Sequence, residues 1–172
     1  MDDILELETR RKIYDLVLKN PGLHLSKIAE LLSMRISLAE YHLIYLIKNQ
    51  VIIANKESGY LRFYIKDKVG TEDKKILALL RQKVPLQIIL LLIKNDHSQH
   101  KDILQNIDVA PSTLSYHLKK LFKCGLINVN TYGNERGYSV NNRELIINLL
   151  IRYKPYDLFE GFNDIWIDLQ VD

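Results

Sequence analysis

The chain has 172 residues, 47% hydrophobic and 26% charged, with a formal net charge of +3 at pH 7. This composition is that of a folded globular protein rather than a disordered one. A single cysteine, Cys124, excludes an intrachain disulfide and a multi-thiolate zinc site, and the longest aliphatic run, Ile88 to Ile93, falls far short of the ~20 residues of a membrane span. The acidic start Met1-Asp2-Asp3 is unlike a signal peptide, so a cytoplasmic location with no membrane partner is expected. Charge is unevenly spread. Residues 1–8 hold four acids and no base, residues 155–172 hold five acids and no base, and all 24 Lys and Arg face 12 acids (21 − 4 − 5) in residues 9–154. A basic body with acidic ends suits a polyanion such as nucleic acid, with an ordinary solvated lysine-rich surface as the alternative.

In chain order, Thr9 is expected to cap a helix with Ile13, Leu16 and Val17 at helical spacing, ending at Asn20-Pro21-Gly22. A second helix carries Ile28, Leu31 and Leu32 on one side and stops near Ser33. Ser37 can cap a third, with Ala39, Leu43, Leu46 and Ile47 inward. The period then changes: Val51 to Ala54 and Leu61 to Ile65 read as a hairpin around Asn55 to Gly59. Thr71 with Glu72 and Asp73 starts a connecting helix carrying Ile76, Leu77 and Leu80.

The order then repeats. Pro85 favours a helix start, a short helix surrounds Ile103 to Ile107, a third runs from about Ser112 to Cys124, and Leu126 to Val129 with Gly137 to Val140 form a second hairpin around Tyr132 to Arg136. Aligning Tyr41 with Tyr116 gives an offset of 75 (116 − 41), and the same offset pairs Lys19-Asn20 with Lys94-Asn95 and Ile52 with Ile127. One unit is therefore expected twice: a first domain over 1–68, a connecting helix over 69–84, and a second domain over 85–154. Asn142 to Tyr153 reads as a helix stopped by Pro155. Beyond it, 155–172 reads as an acidic, aromatic helix with Leu158, Phe159, Phe162, Ile165, Trp166 and Leu169 on one stripe. That stripe either packs on its own chain or pairs in a homodimer, the latter being the preferred reading.

Helix, helix, turn, helix and hairpin is the order of a winged helix-turn-helix, so the fold class is mainly α with small β hairpins (α+β). With Leu114, Leu118, Leu121 and Phe122 inward, the third helix of the second copy presents Ser112, Thr113, Ser115, Tyr116, Lys119, Lys120 and Lys123 outward. Hydroxyls near a helix start reach base edges or phosphate, lysines neutralise phosphate, and Arg136 at the hairpin tip can enter a minor groove. The first copy keeps Arg35, Ser37, Tyr41 and Lys48 as DNA-contact candidates, with Lys56 and Arg62 adding charge. It also exposes Glu40, Ile44 and Tyr45 where the second has Ser115, Lys119 and Lys120. Weaker DNA contact and protein contact are both open for it.

Ser-Thr-Leu-Ser-Tyr-His-Leu-Lys-Lys-Leu followed by Cys-Gly-Leu-Ile resembles the recognition helix and first wing strand of ArsR-like winged-helix transcription regulators, and the tandem arrangement is similar to archaeal regulators of this class. The resemblance implies a dimer that binds double-stranded DNA at promoters. No cofactor is expected, and contact with the transcription machinery is a further candidate interaction. The first copy departs from the pattern with Gln50 in place of the glycine at 125. The alternative function is a winged-helix protein-interaction module of a transcription or replication assembly that does not bind DNA independently.

His42 and His117 share one position and read as packing residues rather than a pH sensor. His97 and His100 could sit together on a helix, but with no cysteine pair nearby a metal site is not assigned. Cys124 reads as a buried structural thiol in preference to a redox switch. No phosphate-binding glycine loop, dinucleotide fingerprint, metalloprotease helix or nucleophile elbow occurs, and no enzymatic activity is expected.

Overall fold

A computed structural model describes residues 3–57, 59–132 and 135–153. The proposed dimerisation stripe, Leu158, Phe159, Phe162, Ile165, Trp166 and Leu169, lies outside the described residues. The chain divides into two compact units between Ala78 and Leu79. Among the described residues no single helix is long and apolar enough to cross a membrane.

In the first unit a short 3₁₀ turn, Asp3–Leu5, precedes α1 (Glu8–Lys19), β1 (Leu23–His24), α2 (Leu25–Leu31), α3 (Ile36–Lys48), β2 (Ile52–Glu57), β3 (Tyr60–Ile65) and α4 (Thr71–Leu80). The boundary between units falls within α4, the helix read as a connector. Its strands form an antiparallel sheet of order β1-β3-β2, with Leu23 opposite Phe63 and Ile52 opposite Ile65. Ile13, Val17, Ile28, Leu43, Leu46, Ile52 and Phe63 pack into one apolar cluster beneath the sheet and the three helices. Burying seven such side chains supplies the main driving force for a unit this small.

The second unit contains α5 (Lys83–Lys94), β4 (Ser98–Gln99), α6 (His100–Asn106), α7 (Pro111–Lys123), β5 (Ile127–Tyr132), β6 (Glu135–Val140) and α8 (Arg143–Tyr153). Its sheet has the order β4-β6-β5, with Ser98 opposite Tyr138 and Ile127 opposite Val140. From α1 and α5 through β3 and β6 the bounds of corresponding elements differ by the same 75 residues (83 − 8 and 140 − 65). The counterparts of Ile13, Val17, Ile28, Leu43 and Leu46, namely Ile88, Leu92, Ile103, Leu118 and Leu121, are all buried. Each unit thus has the same order of three helices and a hairpin, with a two-residue third strand.

Several boundaries differ from the sequence reading. Thr9 is inside α1, whose cap position is Leu7, because the Glu8–Lys12 ion pair of 2.7 Å and an acid in the first turn begin the helix earlier. Ser37 does not cap α3, nor does Ser112 begin α7; both are second residues, with Arg35 and Ala110 at the cap positions. Pro111 fixes the first helical dihedral of α7 and makes a side-chain cap unnecessary. Leu31 is exposed at the end of α2 rather than inward. Strands β1 and β4 are too short to show alternation and exist only through pairing with β3 and β6.

Both third helices end alike. Gln50 N–H donates to Ile47 O and Val51 N–H to Leu46 O, at 2.9 and 3.0 Å; Gly125 and Leu126 bond Phe122 O and Leu121 O at the same two distances. This is a Schellman ending, and it places Gln50 at φ +56° and Gly125 at φ +69°. A side chain in that left-handed region costs roughly 1–2 kcal/mol, partly offset by the greater chain entropy of an unfolded glycine. Gln50→Gly is therefore expected to stabilise the first unit by about 1 kcal/mol, read as a thermal midpoint a few degrees higher. The exposed 2.7 Å bond from Lys66 Nζ to Gln50 Oε1 is lost, at little cost.

One position separates the units. Arg62, only 2% exposed, donates from Nη1 to Gly22 O at 2.6 Å. Burial pushes its guanidinium below its ordinary range, an effect opposed by Tyr64 and Glu57. Arg62 is therefore an interior residue, not the surface charge expected from the sequence. Its counterpart is Gly137, where an added Cβ would lie 3.4 Å from His97 O, and His97 in turn stands where the first unit has Gly22.

Candidate nucleic-acid interface

The buried stripe of α7 is Leu114, Leu118 and Leu121. A 3.6-residue period then turns Ser112, Ser115, Tyr116, Lys119 and Lys123 to the surface, and all five are exposed. Thr113 and Lys120 are half-buried instead of outward. They sit beside the buried stripe, and Lys120 Nζ leans 3.5 Å from Gln82 Oε1. Phe122, expected in the core, is 53% exposed. The stripe is already filled by Leu118 and Leu121, and the next residue turns about 100° away.

Arg136 is exposed, yet it is not at the hairpin tip: it is the second residue of β6, opposite Thr131. The six-residue strands extend the hairpin further than the sequence reading allowed. This placement brings Arg136 together with Ser115 and Lys119 around one cleft of about 690 Å³, walled also by Gln99, His100, Lys101, Leu118, Phe122, Val129 and Tyr138. Among the described residues no carboxylate lines it. Ser112, Tyr116 and Lys123 lie elsewhere on the exposed face of α7 and do not line the cleft.

Sequence reasoning missed the contribution of α6. His100 begins that helix, and its Nε2 lies 3.0 Å from Ser115 Oγ, tying the first turn of α6 to α7. Gln99 N–H donates to Asp102 Oδ2 at 2.9 Å, which anchors the same turn. His97 is in the loop before β4, with Nε2 3.3 Å from Asp96 Oδ2. The two imidazoles are thus on separate elements, and no cluster of three metal-ligating side chains occurs among the described residues. A lysine and a histidine beside the second helix were the available signal, but only the fold shows that they face the wing.

In the first unit Arg35, Ser37, Tyr41 and Lys48 are all exposed on or before α3, with Tyr41 60% accessible. Tyr45 is half-buried rather than exposed, because the Arg10 guanidinium lies 3.6 Å over its ring. At the 75-residue offset, Ser115, Lys119 and Arg136 correspond to Glu40, Ile44 and Leu61. The exposed surface of α3 instead includes Ile36, Leu38 and Ile44, each more than 40% accessible.

His42 and His117 each pack edge-on to the preceding tyrosine at 5.1 Å, and both leave a buried Nδ1 without a hydrogen-bond partner. Burial holds both imidazoles below their ordinary range, helped by the Arg10 charge near His42 and the Lys120 charge near His117. The unfolded chain therefore takes up these protons first. Stability is unaffected above about pH 6.5 and falls as the pH drops through and below it. The urea midpoint is expected to decline as the pH falls below about 6.5, and His42→Gln with His117→Gln should flatten that decline. Cys124 is exposed at the end of α7, which corrects the buried-thiol reading: as the cap residue it turns away from the core.

Residues 82–129 match the family described as bacterial regulatory protein, arsR family. The chain is 32% identical over 140 residues to an uncharacterized HTH-type transcriptional regulator, MJ1398, of Methanocaldococcus jannaschii, covering 81% of this chain and 35% of that protein. The chain thus spans about a third of the length of that relative. Among solved structures, HlyU from Vibrio cholerae N16961 aligns with 21% identity and a TM-score of 0.45, over 53% of this chain and 98% of that one. The DIP2311 protein from Corynebacterium diphtheriae aligns with 14% identity and a TM-score of 0.30, over 77% and 26%. The family match runs from the cap of α5 through α6 and α7 into β5. Residues 82–129, within the second unit, thus match an arsR-family helix-turn-helix domain, and the chain is similar over 140 residues to a protein described as an HTH-type transcriptional regulator.

Proposed function

We propose that the chain is a sequence-specific, DNA-binding transcription regulator built from two copies of one winged-helix unit and acting as a dimer. The observation that carries this is the convergence of Ser115 and Lys119 on α7 with Arg136 on β6 around a cleft with no carboxylate among its described lining, in a domain that matches a family described as regulatory. In the proposed docking, α7 of the second unit enters a major groove. Ser112 and Ser115 read base edges, Lys119 and Lys123 neutralise phosphates, and Arg136 follows the adjacent backbone or minor groove. Thr113 and Lys120, being half-buried, have secondary roles at most.

The first unit takes a different part. Glu40, Ile44 and Leu61 stand where the second unit has Ser115, Lys119 and Arg136, and its third helix exposes apolar side chains, which suit protein contact better than phosphate. The partner on that face is a component of the transcription machinery or a second regulator subunit. Dimerisation through the aromatic segment beyond residue 154 completes the proposal.

The test is selection of duplex fragments from the source genome by purified protein at near-physiological salt, with sequencing of the retained pool. The expected result is a shared site with two half-sites about one helical turn, roughly 10–10.5 base pairs, or a multiple apart. Uniform or absent retention would reject the reading and leave a protein-interaction module.

A further inference from the structure

The cleft between α7 and the wing of the second unit has more apolar wall than a phosphodiester needs. Leu118 forms a buried floor, and Phe122, Val129 and Tyr138 line it as well. Phe122 is a large aromatic side chain left 53% exposed on a helix that already has a full buried stripe. Together with the neighbouring apolar wall, this ring offers surface that a bound apolar group would cover favourably. Around this wall stand Lys119 and Arg136, and among the described residues no carboxylate lines it. The volume of about 690 Å³ lies within the ~300–1,000 Å³ of small-molecule sites.

The first unit serves as an internal comparison. At the 75-residue offset Lys101, Lys119 and Arg136 become Ser26, Ile44 and Leu61, so all three charges vanish together, while Leu118 remains a leucine at 43. The shared fold does not require these cations, and the apolar floor alone does not bring them.

We infer that this cleft binds a small amphipathic carboxylate with an aromatic or branched body, the ring lying on Phe122, Val129 and Tyr138 and the carboxylate held by Lys119 and Arg136. Its consequence for regulation rests on the DNA-binding reading: the two cations that hold the carboxylate are those assigned to the duplex, so ligand and DNA exclude each other. Binding itself does not depend on that reading.

The experiment is calorimetric and NMR titration of the full chain, without DNA, with benzoate, phenylacetate, 3-phenylpropionate and indole-3-acetate up to about 10 mM. Phenylacetamide and inorganic phosphate at matched ionic strength are the controls. Saturable binding of at least one carboxylate is expected, at least tenfold tighter than its neutral amide or phosphate, with shifts confined to residues around Phe122 and Tyr138. Phe122→Ala, which leaves the buried stripe intact, is expected to weaken it at least tenfold. No saturable binding by any of the four overturns the inference. So does equal binding of phosphate, which would make the cleft a phosphate face only, or undiminished binding in a folded Phe122→Ala protein. In a separate fluorescence-anisotropy assay on a retained duplex, the bound carboxylate should lower apparent DNA affinity in proportion to its occupancy. If no duplex is retained, the DNA reading fails while the titration still decides the site; if carboxylate and duplex bind together, mutual exclusion is rejected.

Discussion

Replacing Lys119, Lys123 and Arg136 together with alanine is expected to weaken duplex binding on the order of a hundredfold at ~0.15 M salt and to lower the log–log salt slope by roughly 2.7 units. Each phosphate neutralised by a cation releases about 0.9 of a condensed counterion, so three lost contacts remove roughly three times that exponent, and at ~0.15 M the exponent amounts to about two decades of affinity. All three side chains are exposed, so folding should be spared and the effect should be confined to binding. Arg35→Ala with Lys48→Ala in the first unit is the comparison. If α3 faces protein, that pair should change the slope by less than about one unit. Fluorescence anisotropy against salt measures both. A triple variant with the parent's slope would show that DNA, if bound at all, is held by another surface.

The second large effect is on stability. Leu121→Ala is expected to cost roughly 2–5 kcal/mol, because Leu121 is fully buried on α7 and its deletion leaves a cavity that flanking helices close only in part. Small domains have total stabilities of about 5 kcal/mol or little more, so this one change should leave the second unit largely unfolded near physiological temperature. Phe122→Ala, one residue on, should cost less than about 1 kcal/mol because most of that ring is already in water. Urea unfolding separates the two variants. Similar midpoints would mean that the stripe of α7 has been assigned to the wrong residues.

The neighbouring pair Leu121 and Phe122 also marks where sequence reading worked and where it stopped. Helical spacing located α3 and α7 to within a residue or two, because Leu43, Leu46, Leu118 and Leu121 repeat at three and four and each needs cover. The same periodicity admitted Phe122 to the core, since a stripe read from sequence has no sharp edge. Arg136 and Arg62 show the second limit. Both are strand residues whose surroundings are set by pairing, and only the register places Arg136 opposite Thr131 and Arg62 against the Gly22 loop. His100 and Lys101 were invisible as site residues because the packing of α6 near the wing, not local pattern, brings them to the cleft. Cys124 was misplaced for a simpler reason: being small and apolar is compatible with a core position and equally with an exposed helix end.

The Arg62–Gly22 bond has a consequence for how the two halves of this chain can change. A side chain at 137 would come into ordinary contact with the His97 carbonyl, whereas a glycine at 62 would leave the Gly22 carbonyl without its donor. Exchange of position 62 alone is thus penalised, and because the acceptor is a main-chain carbonyl the donor is needed whatever residue stands at 22. A short tract that carries the glycine of the second half into position 62 would remove that donor and destabilise the first unit. The two halves thus keep different internal fittings beneath a common frame.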